Sequence, residues 1–229
     1  GPIQQGDDGL IEADGGVVLL DGVTIIGGRV QSVADGLLRT GPATSVLDDL
    51  ELGGTFEILA GHSCTIRLPG IDSAALIHVH ADTATGRSTL VISSSGAVGS
   101  AVVDGPGTIR LSAPDEAMPD AAALIINAGN ELIHESKHSI RGAGRIEGTG
   151  SLVNRGLIVA DVPARTLVLQ PGVTNEGRIE VRNGARLEWN SGVASSQSGS
   201  GSIHVDDGTL ALVRGRISGG SITGAGQAV

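Results

Sequence analysis

The sequence predicts an all-β protein folded as a right-handed parallel β-helix, a three-sided solenoid with about 20–22 residues in each coil. Three observations predict this fold: a short glycine-punctuated repeat, a longer repeat that contains it, and an unusual core composition. The 229 residues include 37 glycines and 40% hydrophobic residues, but only 1% aromatic residues. The core must therefore be built from small branched side chains, because few large rings are present to fill a sandwich or a barrel.

The short repeat consists of a glycine, one intervening residue and an aliphatic residue, and it returns every six or seven positions. It occurs at 144–158 (GRIEGTGSLVNRGLI), at 177–187 and at 201–222. This spacing allows strands of only about four residues, whereas sandwiches and barrels show turn signals every 8–12 residues. A helix is excluded because each interior glycine would cost about 1 kcal/mol. The repeat therefore predicts short strands joined by tight corners, where glycine adopts a positive φ without steric cost.

The longer repeat sets the length of a coil. The segment VNRGLIV at 153–159 recurs as TNEGRIEV at 174–181, so Asn154 and Asn175 are twenty-one residues apart. Three short strands fill this interval, and equivalent strands of successive coils stack in parallel about 4.8 Å apart. This stacking predicts inward aliphatic ladders, and it also predicts an amide ladder formed by the two asparagines.

The alternation of the repeat predicts which side chains face the interior. Ile179 and Leu187 are expected to point inward and Arg178 outward, because neighbouring residues of a strand face opposite sides. Trp189 falls on the inward register of Leu187 and is predicted to lie in the core. Cys64 alternates with Ile66 in the segment CTIRL, so it is predicted to be a small buried hydrophobic residue.

The dipeptide Asn183–Gly184 allows two interpretations. Asn-Gly between alternating segments is the strongest short-range signal for a β-hairpin, but it also suits a solenoid corner that needs a left-handed residue. The corner is favoured because the neighbouring segments are too short to pair as hairpins.

The domain organisation is predicted to be simple. Residues 1–2 resemble a protease-cleavage scar and are left out of the fold. Residues 3–229 are expected to form one β-solenoid domain, a fragment of a longer rod, with loops near 39–49, 112–124 and 192–202. Neither end shows a polar capping unit, and open coil edges are templates for further strands, so end-to-end association between copies is expected.

The charge of the chain limits its partners. The formal net charge is −10 and the isoelectric point is near 4.9. Nucleic-acid binding depends on neutralising phosphates with basic side chains, so no nucleic-acid partner is expected. No run of eighteen apolar residues occurs in the sequence, and no membrane insertion is predicted.

The sharpest cluster of potential metal ligands is the segment IHVHAD at 77–82. His78, His80 and Asp82 share one face of an extended strand, and paired histidines can begin a zinc site. An outward polar face opposite Ile77 and Val79 is the simpler interpretation. We therefore predict no metal, no cofactor, and no catalytic or cofactor-binding residue.

Two further groups of polar residues are interpreted as corners or turns. His134 and His138 are expected to be solvated turn residues. The adjacent pairs Asp7–Asp8, Asp48–Asp49 and Asp206–Asp207 point to opposite faces of a strand, so they suit corners better than the spaced carboxylates of a glycosidase. The aromatic platform of a sugar site could come only from Phe56 or Trp189. We therefore expect a protein that is not an enzyme.

A family resemblance rests on three stretches of the sequence. The segments LLDGVTIIGGRVQSV (19–33), HSIRGAGRIEGTGSLVNRGLIVAD (138–161) and TLVLQPGVTNEGRIEVRNGARLEW (166–189) resemble the β-helical repeats of large bacterial exoproteins. These are the passengers of autotransporters and filamentous-haemagglutinin-like adhesins. The resemblance implies a secreted or cell-surface protein with a structural or adhesive role, repeats without catalytic residues, and a host surface, a glycan or another copy as its partner. The alternative is a carbohydrate-binding or carbohydrate-cleaving β-helix of the polysaccharide lyase, hydrolase or phage-tailspike type.

Overall fold

The computed structural model describes residues 1–94, 98–114 and 118–229. The chain forms a parallel β-solenoid of about ten turns, and the described residues contain no α-helix. The all-β solenoid predicted from the sequence is therefore confirmed. Each coil contributes to three parallel ladders, which form the three faces of the solenoid.

Three long strands turn a corner within a single element and contribute to two faces: β7 (Ser45–Gly53), β9 (Ser63–Ser73) and β16 (Ser139–Glu147). In β7 and β9 the first half joins the third face and the second half joins the first face. In β16 the first half joins the second face and the second half joins the third face. The first face otherwise consists of β2 (Leu10–Asp14), β5 (Arg29–Val33), β12 (Gly99–Asp104), β15 (Asn130–His134), β17 (Ser151–Asn154), β20 (Gly172–Asn175), β23 (Ser195–Gln197) and β26 (Ile217–Ser218).

The other two faces have the same stacked arrangement. The second face contains β3 (Val17–Leu20), β6 (Leu37–Thr40), β8 (Thr55–Ile58), β10 (Leu76–His80), β13 (Thr108–Ser112), β18 (Leu157–Ala160), β21 (Arg178–Val181), β24 (Ser202–Val205) and β27 (Ser221–Gly224). The third face contains β1 (Ile3–Gln4), β4 (Thr24–Ile26), β11 (Ser88–Ser93), β14 (Ala122–Ile126), β19 (Thr166–Leu169), β22 (Arg186–Asn190), β25 (Thr209–Arg214) and β28 (Gln227–Ala228). A short 3-10 helix spans Pro119–Ala121.

The core is a set of ladders in which inward side chains of successive coils lie directly on one another. The most regular ladder belongs to the second face and joins ten coils in register: Val18, Leu38, Phe56, Ile77, Ile109, Ile140, Ile158, Ile179, Ile203 and Ile222. Its members from Leu38 to Ile203 are fully buried. Burying each such side chain contributes roughly 1.5–3 kcal/mol, so the ladder is a major source of stability.

The predicted interior positions are confirmed. Ile179, Leu187, Cys64 and Trp189 are all buried, whereas the Arg178 side chain keeps 56% of its area exposed. Burial raises the pKa of the Cys64 thiol to about 12, so the thiol stays protonated at neutral pH.

The corner interpretation of Asn183–Gly184 is also confirmed. Both residues have positive φ, 59° and 68°. The strand that precedes them, β21, pairs with β18 and β24 of the neighbouring coils and not with β22, which follows the corner. The hairpin alternative is therefore wrong.

Only some of the repeat glycines have the positive φ that the sequence predicts for them. Gly144 has a positive φ of 151°, as expected. Gly156 and Gly201 do not, yet a Cβ on Gly156 would lie 2.5 Å from the Glu135 carbonyl oxygen and one on Gly201 would lie 2.1 Å from the Asn175 carbonyl oxygen. At these two corners glycine is required because the backbone of the adjacent coil comes too close for any side chain.

Two of the three predicted loops are corrected by the structure. Most of 39–49 is strand, because β6 and β7 leave only residues 41–44 outside the ladders, and 192–202 contains β23, which stacks between β20 and β26. The short polar strand β23 forms because the neighbouring coils supply its hydrogen-bond partners, whereas β7 buries Leu47, Leu50 and Leu52 in the core. In the third loop, 112–124, residue 112 belongs to β13 and residues 122–124 belong to β14. The described residues between these strands include the 3-10 helix, and residues 115–117 lie outside the described residues.

Candidate functional site

The predicted ligand cluster on β10 is only partly assembled. His78 and His80 both lie on the outer side of the second face, with ring centroids 3.5 Å apart. His78 Nε2 is 2.6 Å from Ser112 Oγ, and His80 Nε2 is 3.5 Å from Glu57 Oε1. Asp82 is turned away, because its Oδ1 accepts hydrogen bonds from the Ala84 and Thr85 backbone N–H groups at 2.8 and 2.6 Å.

The surroundings of His78 favour its uncharged form. Partial burial, together with the neighbouring His80 and Arg110, lowers the pKa of His78 to about 4, while Glu57 opposes this shift. The Glu57 carboxylate accepts a 2.7 Å hydrogen bond from Arg39 Nε, so it already has a cationic partner. Among the described residues, no three His, Cys, Asp or Glu side chains are grouped to hold a metal ion.

A groove of about 600 Å³ lies at the corner between the third and first faces. We call it the acidic groove because five carboxylates line it: Asp7, Asp49, Glu51, Asp72 and Asp104. Glu51, Asp72 and Asp104 stand directly over one another on successive coils. Glu51 is paired with Arg29 at 2.6 Å. Asp49 has a φ of 51°, which confirms that the Asp48–Asp49 pair marks a corner.

The acidic groove should destabilise the fold through like-charge repulsion. Replacing Asp72 by Asn removes the middle charge of the stack, so we expect the free energy of unfolding to rise by about 0.5 kcal/mol in low salt. Urea titrations at low salt and at 1 M NaCl measure this change, and the gain should vanish at high salt because screening already weakens the repulsion. Asp104→Asn removes the charge at the end of the three stacked carboxylates and should give a smaller gain. A loss of stability at both salt concentrations would contradict the repulsion and indicate that these carboxylates hold a favourable partner.

The potential aromatic platforms of a sugar site are both inside the solenoid. Phe56 is fully buried in the second-face ladder and Trp189 is 1% exposed. Trp189 stacks between Leu169 and Leu212 on the third face. The two rings therefore serve the core, and neither lines the acidic groove.

A buried polar ladder runs through successive coils on the inner side of the first face. It consists of His138, His134, Asn154, Asn175 and Gln197, which are all at most 5% exposed. His134, Asn154, Asn175 and Gln197 occupy one stacked column of β15, β17, β20 and β23. The amide ladder predicted from Asn154 and Asn175 is thus confirmed, and it is longer than predicted.

The prediction for the two histidines is wrong. His134 is fully buried and His138 is 1% exposed, so neither is a solvated turn residue. His134 lies twenty residues before Asn154, nearly the interval that separates Asn154 from Asn175. Coil periodicity could therefore have placed His134 in the amide column; nothing in the sequence placed His138 beside it.

All hydrogen bonds of the polar ladder run in one direction. Asn154 Nδ2 donates to Asn175 Oδ1 at 2.8 Å, and Asn175 Nδ2 donates to Gln197 Oε1 at 3.1 Å. Asn154 Oδ1 must then accept from His134 Nδ1 at 2.7 Å, which leaves His134 Nε2 to accept from His138 Nδ1 at 3.1 Å. The network assigns one tautomer to each ring. His138 Nε2 is left buried without a hydrogen-bond partner.

Comparison with protein-family models, with curated proteins and with solved structures finds no match. The fold therefore defines the class of this protein, a parallel β-solenoid with a filled interior. No helix among the described residues is long and apolar enough to span a membrane.

Proposed function

We propose that this chain is a non-enzymatic structural and adhesive segment of a bacterial protein that is secreted or displayed on the cell surface. The observation that supports this proposal most strongly is the ten-coil ladder of the second face, which is buried throughout its middle. A solenoid packed in this way is a stiff spacer whose outer positions repeat at each coil. Its length grows by about 4.8 Å with every coil.

The outer surface supports the same role. Ion pairs connect neighbouring coils along the axis: Arg155 bridges Glu135 at 2.7 Å and Glu176 at 2.9 Å, and Arg141 pairs with Asp161. These contacts hold the long side chains in fixed rows on a surface with a net charge of −10. Extended repetitive surfaces of solenoids bind partners through many weak contacts spread over several coils.

Two experiments test the proposal. Fluorescent beads that carry the purified chain should attach to epithelial cell monolayers or to a glycan array. Beads that carry the Ile179→Asp variant, in which the ladder is disrupted, should not attach. Protease treatment of intact bacteria that carry the protein should degrade it. Beads that attach to neither surface, or a protein protected inside intact cells, would contradict the proposal.

The carbohydrate-cleaving alternative is favoured by one feature, the acidic groove, because its stacked carboxylates lie on adjacent coils. Glycosidases and lyases act through carboxylates or other acid–base groups held across the sugar chain. A panel of bacterial and host polysaccharides, assayed for new reducing ends, tests this function. Cleavage by the wild type that is lost in an Asp72→Asn/Asp104→Asn variant would replace the structural proposal with the enzymatic one.

We also propose head-to-tail contact between copies as part of the structural role. The inward positions Leu212 of β25 and Ile222 of β27 remain 48% and 45% exposed, because β28 pairs only with Thr209 and Leu210 of β25 and β27 has an unpaired edge, which leaves apolar surface open to another chain. Light scattering should show the apparent mass of the chain rising with concentration. Leu212→Lys should abolish the rise, whereas Val193→Lys, at a side-facing position that is 58% exposed, should not. A wild type that stays monomeric at high concentration would contradict the contact.

A further inference from the structure

The buried pair His134 and His138 lies where the inward side chains of the first face change from apolar to polar. In the same column the preceding coils contribute Ile71 and Val103, and the following coils contribute Asn154 and Asn175. His134 is thus the junction between an apolar stack and the polar ladder. The two imidazole rings meet edge to face, with centroids 5.2 Å apart.

The hydrogen-bond pattern of the pair tolerates no more than one added proton. With both rings neutral, His138 Nδ1–H donates to His134 Nε2. One added proton keeps this bond, because a single proton still lies between His138 Nδ1 and His134 Nε2, but it places an N–H on His138 Nε2, which has no acceptor. A second proton turns both facing nitrogens into donors, so the 3.1 Å contact becomes a repulsion between two cations and must break.

The charged groups around the pair do not stabilise two buried cations. Glu135, next to His134, acts to raise the pKa of His134, but Arg155 of the following coil pairs with this carboxylate at 2.7 Å. Asp104 follows Val103 in the preceding coil, and Lys137 lies exposed in the corner that joins the two histidines. Asn154, the contact from β17, is neutral and offers a single acceptor.

We propose that the His134–His138 pair is an acid-sensitive break point that opens the middle of the solenoid, from β15 to β18, when the medium becomes acidic. Protonation removes the link between the two rings and uncouples His134 from the polar ladder. The coils on the apolar side of the junction contain no member of this ladder and keep their packing. The inference does not depend on the proposed adhesive function.

The direction of the pKa shifts supports this proposal. Burial lowers the pKa of His134 to about 4 and that of His138 to about 3, and in each case the folded value lies below the unfolded value of 6.5. The unfolded chain therefore binds protons more readily as the pH falls. The stability that the two neutral histidines contribute to the folded state is complete above pH 6.5 and is lost as the pH falls toward 4. At pH 5 each such histidine favours unfolding by about 30-fold, and the pair by about 10³-fold.

Urea titrations at pH 7.5 and pH 5.0 test the proposal. The quantity compared is the unfolding equilibrium constant at pH 5.0 divided by the constant at pH 7.5. We expect this ratio to fall by about 10³-fold in a His134→Asn/His138→Gln variant. Asn at 134 can still donate to Asn154 Oδ1, and a loss of stability common to both pH values cancels in the ratio. His78→Gln is the comparison, because His78 also has a lowered pKa but lies outside the ladder; it should lower the ratio by no more than about 30-fold. A double variant that keeps the wild-type ratio, or a ratio that collapses only in His78→Gln, would overturn the proposal.

Hydrogen exchange at pH 5.0 locates the opening. The backbone N–H groups of Arg155 and Gly156 both donate to the His134 carbonyl oxygen, at 2.8 and 3.1 Å. We expect these amides to lose protection before the Leu76 amide, which donates to Gly54 across the apolar coils. Simultaneous loss at all three positions would contradict a break point in the middle of the solenoid.

Discussion

Replacing Ile179 with aspartate should cost at least about 4 kcal/mol of folding free energy and should leave much of the chain unfolded at 37 °C. Ile179 is fully buried between Ile158 and Ile203 in the second-face ladder. A carboxylate at this position has only aliphatic neighbours in the stack, so it must be buried either unpaired or protonated. Because each coil is covered by its neighbours, the damage should extend to both adjacent coils. Urea denaturation followed by circular dichroism measures the loss.

The neighbouring residue provides the control for this prediction. Arg178 points outward, with 56% of its side chain exposed and an ion pair to Glu180 at 2.8 Å. Exposed ion pairs contribute little, so Arg178→Ser should change the free energy of unfolding by less than about 0.5 kcal/mol. If Arg178→Ser proves the more damaging of the two, the inward and outward registers of β21 are exchanged.

Replacing Asn175 with alanine should cost about 3 kcal/mol, the second largest effect that we expect. The Asn175 amide accepts from Asn154 Nδ2 and donates to Gln197 Oε1, and its Nδ2 also lies 3.2 Å from the Ser202 carbonyl oxygen. Alanine leaves all three groups without this partner inside the solenoid. Thermal or urea unfolding measures the cost.

An exposed asparagine serves as the comparison for Asn175. Asn127 makes one surface contact, with Nδ2 3.3 Å from Ser93 Oγ. Asn127→Ala should therefore lie within about 0.5 kcal/mol of the wild type. Equal effects of the two substitutions would show that water replaces the missing partners of Asn175, and that the interior of the polar ladder is not dry.

The fold was predictable because a solenoid repeats its local rules. The glycine-punctuated aliphatic repeat around Ile146, Leu152 and Ile158 is strong enough to indicate strand length, corner position and inward register together. The strand at 45–53 was missed although Leu47 and Leu52 enter the core, because Gly41 and Pro42 interrupt the alternation before it. The strand at 195–197 could not be predicted, because its pairing energy comes from backbone groups of coils about twenty residues away rather than from its own side chains. Polar sequences can occupy such positions whenever both neighbouring coils are well formed.

The histidines show a different limit. Single residues such as His134 carry no periodic signal of their own, and only their alignment with Asn154 reveals that they are interior. His138 lies outside any strand and is buried by the corner itself. The pair His78 and His80 is conspicuous in the sequence, but the departure of Asp82 into a turn depends on local backbone geometry that spacing does not specify.

The corners of the solenoid accept chain of different lengths without disturbing the ladders. Four residues, 59–62, connect β8 to β9, whereas seven residues, 81–87, make the equivalent connection between β10 and β11 in the next coil. The strands that follow remain in register, with Thr89 opposite Ser63 and Ile92 opposite Ile66. Insertions at such a corner leave the core packing unchanged, so the sequence of the corner at 81–87 can vary without loss of the fold. The same freedom makes it a graft site for a foreign epitope, held at a fixed height along the axis by a scaffold that does not have to change.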